Sequence, residues 1–110
     1  MSRLASGFWV RAYLKRLELE HIPAYVTAHG HDEAGAVLVK CATLDGQACA
    51  WHRGFDLMTG ERAWVALREG PEREVDEAIR KQRSFDPDLW VIEIESRDGR
   101  TLLDQEGLTG

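Results

Sequence analysis

The chain has 110 residues, a formal net charge of −5, 44% hydrophobic and 30% charged residues. Those are ordinary values for one globular domain, and they argue against wholesale disorder and leave no room for a second domain. An acidic surface repels phosphate backbones at long range, which argues against generic nucleic-acid or anionic-membrane binding.

Taken in chain order, residues 7–20 read as a helix. Trp9, Tyr13 and Leu17 recur every fourth position, and Val10, Ala12 and Leu14 widen the stripe, so the helix should pack on a sheet. Ser6 can cap its start, and Pro23 ends the segment. Ala24 to Ala28 is a short strand candidate. His29-Gly30-His31-Asp32-Glu33 is a polar loop. Gly35 to Thr43 contains Ala36-Val37-Leu38-Val39, apolar on both parities, which suits a central strand covered on both faces.

Asp45-Gly46 is a strong hairpin signal, because a type I′ turn needs positive φ at both central residues. The returning strand runs from Gln47 to about Phe55, Thr59-Gly60 marks the next turn, and Arg62 to Arg68 makes a further strand. A second helix spans about 71–84, with Gly70 at the N-cap and Pro71 at the first helical position. Glu72 and Glu74 lie in its first turn and Arg80, Lys81 and Arg83 near its end, as the helix dipole favours. Asp76–Arg80 and Glu77–Lys81 have the spacing of helical ion pairs. Leu89 to Glu95 is a strand with Trp90, Ile92 and Ile94 on its core face, which leaves Glu93 and Glu95 facing outward. Asp98-Gly99 is a second hairpin signal, returning Thr101-Leu102-Leu103 as a short edge strand. Residues 104–110 read as a frayed tail.

The order α-β-β-β-β-α-β-β predicts a single α+β domain over residues 1–110. Two helices pack on a mixed, largely antiparallel sheet of five or six strands. Met1 to Val10 is too short an apolar segment for a signal peptide, and no apolar run reaches the length of a membrane span. Cys41 and Cys49 supply neither a disulfide framework nor zinc-finger spacing. A reducing cytoplasm is therefore the expected compartment.

Three stretches carry a family resemblance: Gly7-Phe8-Trp9-Val10-Arg11-Ala12-Tyr13-Leu14, Ala34-Gly35-Ala36-Val37-Leu38-Val39-Lys40, and Phe85-Asp86-Pro87-Asp88-Leu89-Trp90-Val91-Ile92-Glu93. In this order they resemble a family of small, uncharacterised bacterial proteins catalogued as a domain of unknown function. The resemblance covers nearly the whole chain and implies a bacterial, freestanding, single-domain protein. It brings no activity, cofactor or catalytic residue to any position.

Four constellations could carry chemistry. His29 and His31, with Asp32 and Glu33, are ligand types for zinc, with His52 the only further imidazole considered. The spacing matches no defined metal motif, and a solvated loop accounts for it. Asp86 and Asp88, with Glu93 and Glu95, could do acid–base work or hold magnesium. Asp86 more simply opens a turn with Pro87. Arg11, Lys15 and Arg16 on the first helix could join Arg80, Lys81 and Arg83 on the second in an anion-binding patch, if both helices lie on one sheet face. Trp9, Trp51, Trp64 and Trp90 are many for this length. Most should be core, and an exposed one would mark a partner surface. Trp51, beside Lys40, His52 and Arg53, is the candidate.

The leading expectation is a non-catalytic interaction or binding module, associating with itself as a homodimer or with another protein. Its candidate contacts are Trp51, Arg53, Arg11, Asp86 and Asp88, and it needs no cofactor and no metal. The alternatives are a small metal-dependent hydrolase using the His29/His31 or Asp86/Asp88 loop, and a nucleic-acid accessory protein using the helix arginines. A two-residue loop at Asp45-Gly46 would also pair Cys41 with Ala50, Ala42 with Cys49, Lys40 with Trp51 and Val39 with His52. In that register the two cysteines point to opposite faces and cannot form a disulfide.

Overall fold

A computed structural model of the chain describes residues 5–55, 58–60 and 62–105. Helix α1 spans Ser6–Leu19 and is followed by β1 (Ala24–Ala28), β2 (Val37–Ala42), β3 (Gln47–Phe55) and β4 (Arg62–Pro71). Helix α2 spans Glu72–Phe85 and leads into β5 (Trp90–Glu95). The five strands form one sheet in the order β1-β5-β2-β3-β4. Only the β2–β5 pairing is parallel; the other three are antiparallel. The α+β class and the mixed, largely antiparallel sheet agree with the sequence pattern.

The two central strands explain the apolar runs. Every residue of β2 is buried, and Trp90, Val91, Ile92 and Ile94 of β5 are buried with them. Alternate residues face opposite layers. Val37, Val39 and Cys41 join Trp90, Ile92 and Ile94 under Trp9, Val10, Tyr13 and Leu17 of α1. Leu38 and Val91 join Ala48, Ala50 and Leu89 under Val75 of α2. The helices therefore cover opposite faces of the sheet. That separates Arg11, Lys15 and Arg16 from Arg80, Lys81 and Arg83, so the common basic patch does not form.

The β2–β3 hairpin departs from the expected register by one residue. Leu44 and Gly46 both have positive φ, and the Thr43 N–H donates to the Gln47 carbonyl at 3.2 Å. The Asp45 carboxylate accepts from the Thr43 hydroxyl at 2.5 Å and from the Gln47 N–H at 3.1 Å. The Thr43 and Gln47 hydrogen bonds hold this carboxyl below its ordinary pKa. Three residues, not two, thus make the loop. Cys41 pairs with Cys49, Lys40 with Ala50, Val39 with Trp51 and Leu38 with His52. A slip of one residue exchanges the faces of a strand, so Lys40 does not lie beside Trp51, and the two cysteines share a face.

The segment after β5 is the second departure. Thr101-Leu102-Leu103 is not a strand. β5 already has β1 on one side and β2 on the other, so no edge is open to a hairpin partner there. The chain instead turns at Ser96–Gly99, with Gly99 N–H donating to the Ser96 carbonyl. It then folds back over α1. Leu102 and Leu103 are buried in the α1-side core, and Thr101 accepts a hydrogen bond from the Tyr13 hydroxyl at 2.8 Å. Asp104 and Gln105 are exposed, and the rest of the expected tail lies outside the described residues.

Helix starts differ by one residue from the sequence reading. Ala5 and Pro71 occupy the N-cap positions. The Ser6 hydroxyl donates to the Gly35 carbonyl at 2.5 Å instead of capping its own helix, which ties α1 to the loop before β2. No helix among the described residues is long and apolar enough to cross a membrane.

Candidate functional site

Helix α1 lies over β1, β5 and β2 and leaves much of β3 and β4 uncovered on the same face. Two short patterns meet there. Trp51 and Arg53 are two apart on β3, and Arg62 and Trp64 are two apart on β4. Arg53 pairs directly with Trp64, so all four side chains fall on one face. A β-bulge shifts the β3–β4 register between Ala50 and Trp51; the extra residue, Leu67, is on β4, so β3 keeps its alternation and Trp51 stays on the face of Arg53.

Arg53 lies against two indoles that also touch each other. Its guanidinium carbon is 5.0 Å from the Trp9 ring centroid and 5.2 Å from that of Trp64. Trp9 also stacks on Tyr13 at 4.9 Å and tilts against Trp64 at 5.5 Å. The planar guanidinium is weakly hydrated and attracted to the ring faces, so this three-membered cluster holds a cation against an aromatic wall. The Trp9 indole N–H is enclosed and has no hydrogen-bond partner among the described residues.

Two cavities flank this wall. One, of about 350 Å³, is lined by Trp51, Ala63, Trp64 and Leu103 together with Arg62, Thr101 and Asp104. The other, of about 510 Å³, lies between the start of α1, the 33–37 segment, Arg53 and Arg62. Arg62 lines both. The amides that open α1 are already used: Ser6 N–H donates to the Glu33 carbonyl and Gly7 N–H to the Asp32 carbonyl. Positive charge in the second cavity therefore comes from the arginines and not from the helix end.

Trp51 and Arg53, two of the residues anticipated from the sequence, thus line cavities. Arg11, Asp86 and Asp88 line neither. Arg11 is exposed on α1. Asp86 accepts from the Asp88 N–H at 3.1 Å in the turn before β5, and the exposed Asp88 gives its carbonyl to the His31 N–H at 3.0 Å. The sequence pattern does not mark Arg62 or Leu103 as site residues, and it marks Trp64 only as one of four tryptophans. The signal available for Arg62 and Trp64 was the mirrored Trp-x-Arg and Arg-x-Trp spacing across one hairpin.

The histidine loop is built for packing. His29 tilts against Trp90 with ring centroids 4.0 Å apart. His31 Nδ1 accepts from the Glu33 and Ala34 N–H groups, each at 3.2 Å. The Trp90 indole N–H donates to the His31 carbonyl at 2.9 Å. Among the described residues no three His, Cys, Asp or Glu side chains converge as a metal site would require. The loop runs so close to β5 that a Cβ on Gly30 would collide with the Asp88 carbonyl and the Trp90 ring and backbone. Gly30→Ala is accordingly expected to destabilise the fold by about 2 kcal/mol, as overpacking does. Urea unfolding of the variant checks this.

A second polar cluster lies on the opposite face. Lys40, only 3% exposed, donates to Glu72 and Asp76 of α2 at 2.7 Å each and to Glu93 of β5 at 3.3 Å. Burial pulls its pKa down, but the hydrogen bonds it donates to Asp76 and Glu72 and the field of Glu93 outweigh burial and raise it above the ordinary value. A lysine held this firmly charged is a poor nucleophile or base, and the cluster's role is to fasten α2 to the sheet. Asp76 and Glu93 are thus drawn to Lys40, where the sequence suggested an Asp76–Arg80 pair and a solvent-facing Glu93.

The chain resembles several solved structures. A crystal structure of a DUF1491 family protein from Caulobacter crescentus, at 36% identity, superposes with a TM-score of 0.81 and covers 93% of this chain and 94% of its own. An NMR structure of a DUF1491 family protein from Caulobacter crescentus, at 37% identity, gives the same TM-score with 94% and 96% coverage. Protein Atu0922 from A. tumefaciens, at 28% identity, gives 0.72 with 86% and 87% coverage. No curated protein matches the chain. The family model described as "Protein of unknown function (DUF1491)" matches residues 4–104, and the chain belongs to that family.

Proposed function

We propose that the chain is a non-catalytic binding module whose binding surface is the α1 side of β3 and β4. The observation that carries this reading is the cavity walled by Trp51, Ala63, Trp64 and Leu103 on the part of the sheet that α1 leaves uncovered. Its volume suits a small ligand or one aromatic side chain of a protein partner. Apolar walls beside Arg62 favour a flat apolar body ending in an anionic group, which would lie toward Arg62 and away from Asp104. Aromatic and arginine side chains are also the residues that dominate binding energies at protein surfaces.

The aromatic sulfonate 1-anilinonaphthalene-8-sulfonate is a suitable probe, since it has that shape and charge. Calorimetric titration of the folded protein is expected to show saturable one-to-one binding. Trp51→Ala should weaken it at least about tenfold, equivalent to about 1.4 kcal/mol, with an unchanged far-ultraviolet circular dichroism spectrum. Absence of binding, or binding that both Trp51→Ala and Arg62→Ala leave unchanged, would count against this surface.

A further inference from the structure

Cys41 and Cys49 are direct partners on neighbouring antiparallel strands. We infer that they form a reversible intramolecular disulfide in the folded protein, a cross-strand lock on the β2–β3 hairpin. The inference is independent of the binding proposal above. Cys41 and Cys49 lie two residues in from the hydrogen-bonded Thr43–Gln47 pair and so form the wider, hydrogen-bonded kind of pair, with Cα atoms about 5.5 Å apart, inside the window of about 4.4–6.8 Å that a disulfide accepts. Their Cβ atoms start about 4.5–5.5 Å apart and need to close to about 3.5–4.5 Å. Closure therefore asks for rotation of two side chains and a small approach of the strands, with no change of register.

Both thiols are unlinked in the structure and engaged only by weak contacts. Cys41 Sγ lies 3.9 Å from the Ser96 carbonyl, and Cys49 Sγ lies 4.0 Å from Glu69 Oε2. Cys41 is buried beneath α1, while Cys49 is half-buried. That difference sets the order of events with a low-molecular-weight disulfide of the glutathione class as oxidant. Cys49 releases its proton to solvent and its thiolate attacks one reagent sulfur. The reagent S–S bond breaks and one small thiolate leaves. Cys41 then loses its proton and attacks the Cys49 sulfur, the mixed disulfide breaks, and the second small thiolate leaves. Each small thiolate takes up a proton. The protein gives up two electrons and two protons, and the reagent gains them.

Burial, then the charge of Glu69 and the neighbouring Cys41, pushes the Cys49 thiol up to about 11, and burial raises Cys41 as well. High-pKa thiols are scarce as thiolates at neutral pH and leave slowly once bonded. The pair is thus suited to a lasting lock and not to rapid catalytic exchange. The next same-face residue of β3 is Trp51, so the lock would stiffen the strand beside the aromatic cavity.

The test treats the full, folded chain with glutathione disulfide, alkylates residual thiols, and reads intact mass and a non-reducing peptide map. The expected product has lost two hydrogen masses, carries a Cys41–Cys49 link, retains no glutathione and returns to the starting mass with dithiothreitol. Cys41→Ser should trap glutathione on Cys49, and Cys49→Ser should leave the buried Cys41 unmodified. A persistent mixed disulfide on wild-type Cys49, linkage only between chains, linkage only in denaturant, or no reaction at all would overturn the inference. The wild-type measurement decides the matter even if either serine variant fails to fold.

Discussion

Trp90→Ala is expected to destabilise the protein by about 4 kcal/mol, within the range of about 3–5 kcal/mol for deleting a large buried aromatic. Trp90 is 4% exposed at the start of β5. Its ring packs in the α1-side core and against His29, and its indole N–H holds the His31 carbonyl at 2.9 Å. Truncation removes the core contacts and takes from the His31 carbonyl one of its two donors, the Gly35 N–H remaining at 3.1 Å. Since a domain of this kind is stable by only about 5–15 kcal/mol, the change consumes a large fraction of the total. Chemical denaturation measures it. A loss below about 1 kcal/mol would mean that Trp90 is not a core residue.

Lys40→Met should cost about 3 kcal/mol. Removing one member of a buried ion pair typically costs about 3–5 kcal/mol, because the remaining charge is left uncompensated. Three carboxylates would face one another here. Glu72 and Asp76 each keep 40% side-chain exposure and Glu93 keeps 27%, so water relieves part of the repulsion and the lower end applies. The alkaline limb gives a second readout. Lys40 has a folded pKa above its ordinary 10.5. The folded state then holds this proton more tightly than the unfolded chain. The contribution is complete below pH 10.5 and is lost as pH rises through the raised value. Tyr13, raised mainly by burial above 10.0, acts in the same direction. Stability of the wild type should thus fall as pH climbs past 10, and the gap between wild type and Lys40→Met should narrow past 10.5. A gap constant with pH in unfolding titrations would contradict the role given to the ammonium.

The elements and class could be read from the sequence because their causes are local. The fourfold recurrence of Trp9, Tyr13 and Leu17, the two-parity apolar run at 36–39 and the proline-led start of α2 each reflect a period or a terminus signal. Pairing geometry could not. Asp45-Gly46 has the composition of a two-residue turn, yet the Asp45 carboxylate builds a three-residue loop by holding Thr43 and Gln47. That single residue moves Cys49 and Trp51 together to the face opposite Lys40. Asp98-Gly99 likewise carries a hairpin signal, but sheet order leaves no free edge beside β5. The Lys40 cluster joins three elements far apart in sequence, β2, α2 and β5, so only the folded chain brings it together. Arg62 and Trp64 were within reach, since their spacing mirrors Trp51 and Arg53 across one hairpin.

The binding surface is tested most directly by following the four tryptophan indole N–H resonances during titration with 1-anilinonaphthalene-8-sulfonate. Trp51 and Trp64 line the cavity, and Trp90 lies buried under α1 on β5, two strands away from β3, with its N–H already bonded to His31. The expected result is saturable movement of the Trp51 and Trp64 resonances with one dissociation constant, while Trp90 stays fixed. Movement of Trp90 with Trp51 unmoved, or no movement of any indole at saturating probe, would contradict the assignment of this face as the binding surface.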